Sequence, residues 1–136
     1  MEFEASYEFA VSRRLPWGDE TDSLDRHVGA VVGRLEACDA VERISWDATR
    51  DSSRLSLRFV IVGGSRHAAE ADARGAVGSA IRECGAYHEG LFSADEELRM
   101  APRLSTWSGL RTPTWQVRRT GFVLRGVEEK AGAAAR

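Results

Sequence analysis

Asparagine is absent from this chain, lysine occurs once (Lys130), and cysteine, at two residues, and proline, at three, are scarce. Two cysteines in 136 residues are too few for a disulfide framework and fit a reducing compartment. Long apolar runs are missing as well. The longest, Phe59 to Val62, stops at two glycines, far short of the roughly 18 residues that a membrane-spanning helix requires. Glu2, Glu4 and Glu8 come before any basic residue, unlike the basic-then-apolar order of a signal peptide, so the expected address is cytoplasmic. No Gly-x-Ser-x-Gly elbow, Ser-His-Asp order or phosphate loop is found. No pair of groups suited to acid, base or nucleophile work can be located, which places an enzyme last among the function classes.

What is present is the make-up of an ordinary globule, with 43% apolar and 29% charged residues, and its length predicts one domain. Eighteen arginines, 19 alanines and 13 glycines point to a gene rich in GC codons. Many of these residues therefore carry no message of their own. The net charge of -2 hides an asymmetry: residues 1 to 47 hold 5 basic and 11 acidic side chains, and the remainder 14 and 10. The two parts should attract.

Along residues 2 to 12, Phe3, Ala5, Tyr7, Phe9 and Val11 alternate with Glu2, Glu4, Ser6 and Glu8, the period of a half-buried strand. Leu24, Val28, Val31, Leu35 and Cys38 then recur at helical spacing, which predicts a helix over 23–39 behind a Thr21-Asp22-Ser23 cap. Residues 41–48 and 54–62 flank a polar turn and predict a hairpin, with Trp46, Leu57 and Phe59 facing the core. Gly63-Gly64-Ser65 makes a strand-to-helix turn, and Ala73, Val77, Ala80, Ile81 and Cys84 trace a second helix over 66–84. Residues 115–127 predict a last strand whose alternation breaks at Arg119 and Gly121, as at a bulge. The segment of about 86–114 is expected to be irregular, and 128–136 to be a flexible tail after a single domain spanning 1–127.

The order β-α-β-β-α-β predicts an α+β, ferredoxin-like two-layer sandwich with a C-terminal extension: a four-stranded antiparallel sheet, order 4-1-3-2, with two helices on one face. The stretch from Leu24 to Ala86 resembles small ferredoxin-like proteins of high-GC bacteria. The residues that carry the likeness are Leu35-Glu36-Ala37-Cys38, Arg58-Phe59-Val60-Ile61-Val62 and Ala80-Ile81-Arg82-Glu83-Cys84-Gly85-Ala86. That resemblance implies a fold and no activity. Acylphosphatases share the fold but need an asparagine, which this chain lacks. RNA-binding modules of this topology stack bases on aromatic side chains of the open sheet face, where this chain would present Glu2, Glu4 and Glu8.

Cys84 and His88 stand four apart with Glu89 beside them, but Gly85 is expected to end the helix between them, so they do not share a helix face and the three or four ligands of a tetrahedral site are not supplied; no metal or cofactor is expected. The predicted topology puts Cys38 and Cys84 at opposite edges of the helical layer, as free thiols. Two features stand out. Residues 98–127 contain no acid and six arginines, and Arg103-Leu-Ser-Thr-Trp107 is echoed by Arg111-Thr-Pro-Thr-Trp115. Arg and Trp are enriched at binding hot spots, so Arg103, Trp107, Arg111 and Trp115 are candidate partner-binding residues, exposed in a monomer. Pairing of Arg118 or Arg119 with Glu4 or Glu8 across the sheet is the competing account for part of this charge. The second feature is small-residue helix faces, with Gly29, Gly33, Gly75 and Gly78 as possible contacts and codon bias as the alternative.

The function expected on this reading is a non-catalytic protein-interaction or assembly module using the Arg/Trp-rich segment, including association with a second copy of itself. A small-ligand sensing regulatory domain is the alternative. Nucleic-acid binding through the Arg/Trp loop comes third.

Overall fold

The computed structural model describes residues 1–12, 20–49, 54–100 and 113–125. In chain order the elements are β1 (Glu2–Ser12), α1 (Glu20–Glu36), β2 (Val41–Thr49), β3 (Arg54–Val62), α2 (Arg66–Glu83), β4 (Tyr87–Glu89), α3 (Ala94–Met100) and β5 (Thr114–Leu124). The alternating residues of β1 dictate its central place. Phe3, Ala5, Tyr7, Phe9 and Val11 are all buried, in one core with Leu55, Leu57, Phe59 and Ile61 of β3. Val28, Val31, Val32 and Leu35 of α1, with Ala69, Ala73, Val77 and Ile81 of α2, close that core from the same side. Ser65 caps α2 by accepting a hydrogen bond from the Ala68 N–H at 3.1 Å.

The expected four-stranded antiparallel sheet with two helices is overturned. The sheet is mixed and five-stranded, in the order β2-β3-β1-β5-β4, and there are three helices among the described residues. The added strand, β4, runs parallel to β5 and lies inside the segment expected to be irregular. It starts where the Tyr87 N–H meets the Pro113 carbonyl at 3.0 Å. Gly85 and Gly90, at φ +75° and +88°, turn the chain on either side of it in a conformation that L side chains rarely adopt. Three residues are too few to leave a periodic signal in the sequence. The third helix did leave one. Ser93 Oγ accepts from the Glu96 N–H, and the Glu96 carboxylate accepts from the Ser93 N–H, both at 3.3 Å, the reciprocal capping box.

Register differs from a regular ladder at two points. Between Glu8↔Arg119 and Phe9↔Val117 the sheet shifts by one, leaving Arg118 as the extra residue of a bulge in β5. Between Glu42 and Ser45 of β2 the register also shifts, and Arg43 there has φ +52°. Trp46, expected in the core, is 42% exposed. It lies beyond that shift on an edge strand, so no strand covers its outer side.

Candidate functional site

Of the candidate partner-binding residues, Arg103, Trp107 and Arg111 lie outside the described residues. Trp115 is fully buried, which corrects the expectation of an exposed ring. The reason is its place in β5: it opposes Val11 on one side and His88 of β4 on the other, so it is flanked in the sheet on both sides. Its ring packs edge-on against Phe9, with centroids 5.2 Å apart, and its indole N–H donates to His27 Nε2 at 2.9 Å. A buried indole N–H requires such a partner. Gly29, Gly33 and Gly75 have open space where a side chain would stand. Gly78 does not: a Cβ there would lie 3.1 Å from Phe92 and 3.3 Å from His88 Nε2, so this glycine serves the chain's own packing.

Beside Gly78 sits a polar cluster the sequence did not announce. Among the described residues, His88 is the polar or charged one that is buried. Its Nδ1 faces the Glu97 carboxylate of α3, and its Nε2 lies 2.9 Å from Arg82 Nη1 of α2. Arginine can only donate, so Nε2 accepts and Nδ1 carries the proton toward Glu97. Burial holds the imidazole's pKa below its ordinary 6.5, opposed by Glu97 and helped by Arg82. Glu97 Oε1 also accepts from the Leu91 and Phe92 N–H groups, at 3.0 and 2.9 Å. Both ring nitrogens of His88 are engaged, so the cluster clamps α3 and β4 onto α2 and presents no open base.

A second arrangement lies between α2 and β5. Arg66, Glu70 and Arg74 stand four residues apart and so form one stripe of α2. With Tyr7, Thr120, Phe122 and the Gly90-Leu91 turn they line a cleft of about 260 Å³. Arg66 donates to the Phe122 carbonyl at 3.0 Å, with its guanidinium 6.0 Å from the Phe122 ring centre. Arg74 Nε is buried and has no hydrogen-bond partner. Burial pushes the Tyr7 phenol up to about 12, Arg74 pulling it down and Glu70 adding to the rise, so it stays a hydroxyl and both charges lie close to it. Tyr7 read from sequence only as a core residue. The signal available was the charged stripe at helical spacing.

The third arrangement is the sheet face away from α1 and α2. Cross-strand rows place Asp47, Ser56, Glu8 and Arg119 side by side, then Ser45, Arg58, Ser6 and Gly121, then Glu42, Val60, Glu4 and Val123. Arg58 pairs with Glu4 and Arg54 with Glu8, both at 3.4 Å, and Arg125 with Glu2 at 3.5 Å. Glu8 opposes Arg119 in register, but its ion pair is made with β3. A shallow hollow of about 450 Å³ lies over the first two rows.

Cys38 and Cys84 are free. Their helix ends are closer than expected, since Arg34 in the last turn of α1 reaches Glu83 of α2 at 3.6 Å. Burial raises the Cys84 thiol pKa against the pull of Arg34, the opposite of an activated nucleophile. Among the described residues no three His, Cys, Asp or Glu side chains gather as for a metal ion, and no helix is long and apolar enough to cross a membrane. No family model matches the chain, and no curated protein or solved structure matches it.

Proposed function

We propose that the protein is a non-catalytic assembly module that docks on a second copy of itself through the face of its sheet that lies away from α1 and α2. The supporting observation is the charge balance of that face. The acids of β1 are each matched by an arginine of β3 or by Arg125, so two such faces approach without strong mutual repulsion. Each exposed pair is worth little to the stability of the monomer. A face on which acids and arginines alternate offers no continuous basic track for the phosphates of a nucleic acid. Arg103, Trp107 and Arg111 precede β5 in the sequence.

Sedimentation velocity over a concentration series tests this reading. The wild-type chain should show a concentration-dependent dimer. Ser56→Arg, at the centre of the face and exposed, should weaken it more than tenfold, about 1.4 kcal/mol, with the melting temperature unchanged. A monomer at every concentration would sink the proposal. If Trp107→Ala dissolves the dimer and Ser56→Arg does not, the contact belongs to the Arg/Trp segment and the sheet face is the wrong surface.

A further inference from the structure

On the helical side of the sheet, away from the proposed dimer face, the structure holds a cation without an acceptor. Three arginines among the described residues are half-buried: Arg74, Arg82 and Arg125. Arg82 is matched by His88, and Arg125 by Glu2. Among the described residues Arg74 has no hydrogen-bond or ion-pair partner, and its Nε is shut off from solvent. Glu70, four residues earlier, stands in the favourable orientation for a helical ion pair with it. That pair does not form, and both side chains line the cleft instead. Buried donors in folded proteins are satisfied as a rule, and an exception calls for a partner.

The chemistry of the walls narrows that partner. Arg66 and Arg74 carry two positive charges and Glu70 one negative charge, with the Tyr7 and Thr120 hydroxyls between them on the sheet side. The cleft is thus +1 overall but of mixed sign. An inorganic dianion would meet the Glu70 carboxylate as well as the arginines. A molecule with both carboxylate and ammonium groups would satisfy each wall. The volume of about 260 Å³ lies just below the range of drug-sized pockets and suits a ligand of amino-acid size.

The geometry points to a binding site for a free acidic α-amino acid, its carboxylates held by Arg74 and Arg66 with the Tyr7 hydroxyl, and its ammonium by Glu70. Net charge -1 on such a ligand complements +1 in the cleft. Arg74 gains the acceptor it lacks, and Glu70 a cation.

Calorimetric titration and thermal shift with three probes test this: L-glutamate, glutarate, which keeps both carboxylates without the ammonium, and inorganic phosphate. L-Glutamate should bind at least tenfold more tightly than glutarate, and phosphate should not bind. Arg74→Gln should abolish binding with the ligand-free melting temperature unchanged or higher, because that side chain has no partner to lose. Glu70→Gln should keep binding but erase the preference for L-glutamate over glutarate. Equal binding of L-glutamate and glutarate by the wild type, binding of phosphate alone, binding of none of the three, or undiminished binding by Arg74→Gln would each overturn the assignment.

Discussion

Burial of His88 gives the fold a pH-dependent contact. Its neutral form is the one that accepts from Arg82 and donates to Glu97, and its folded pKa lies below the ordinary 6.5. The unfolded chain therefore takes up the proton first as pH falls. The stabilisation from His88 is complete above about pH 6.5 and is lost on acidification through that value toward the lower folded pKa. Denaturant melts between about pH 7 and pH 5, where surface carboxylates stay ionised, should show this loss in the wild type. His88→Gln, which keeps a donor for Glu97, should flatten it; an unchanged acid limb in that variant would place the titration elsewhere. Phe59, fully buried on β3, makes the apolar counterpart. Phe59→Ala should cost about 3–5 kcal/mol because the cavity cannot collapse in a closely packed core. A loss below about 1 kcal/mol in urea unfolding would mean that the core does not close over this ring.

At the scale of elements, the four glycines of the two long helices separate into two kinds that the sequence could not distinguish. Nothing stands within 4 Å of a Cβ built on Gly29 or Gly33, whereas Gly78 is overlaid by Phe92, His88 and Arg82. Gly29→Ala and Gly33→Ala should each raise stability, by up to about 1 kcal/mol, through helix propensity alone. Gly78→Ala should gain nothing or lose, because it pushes α3 and β4 off α2. Thermal melts of the three variants check this, and a stabilised Gly78→Ala would show that the clamp is loose. The elements themselves were legible wherever periodicity runs long enough. Glu2–Ser12, Arg54–Val62 and Arg66–Glu83 end within a residue or so of where the alternation and the caps put them. Trp46 misled because alternation tells which residues share a face, while exposure depends on whether a neighbour covers that part of the edge. Tyr87–Glu89 was invisible for want of length, and Ala94–Met100 was missed although Ser93 and Glu96 spelled its cap.

For the whole molecule, the candidate sites were less legible than the fold, and the reason is physical. Arg66, Glu70, Arg74 and Tyr7 belong to elements some sixty residues apart, and only the packing of α2 over β1 and β5 assembles them. His88 and Glu97 likewise gain their meaning from Arg82. Hydrophobic period reports where a chain goes inside; it is silent about which polar groups meet there. Conversely, the Arg/Trp echo suggested a repeated unit, but the sheet took Trp115 into its core. One feature of the topology bears on how the protein is made. Strand β1 lies between β3 and β5, so its second neighbour is translated about sixty residues after its first, about 3 to 12 s later at about 5 to 20 residues per second. Throughout that interval the nascent chain carries its central strand as a bare edge, with unpaired backbone groups that any other extended segment can join. Emergence of Thr114–Leu124 from the ribosome is thus the step that ends the chain's exposure to misassociation, and a polypeptide stalled before it has a hydrophobic layer it cannot seal.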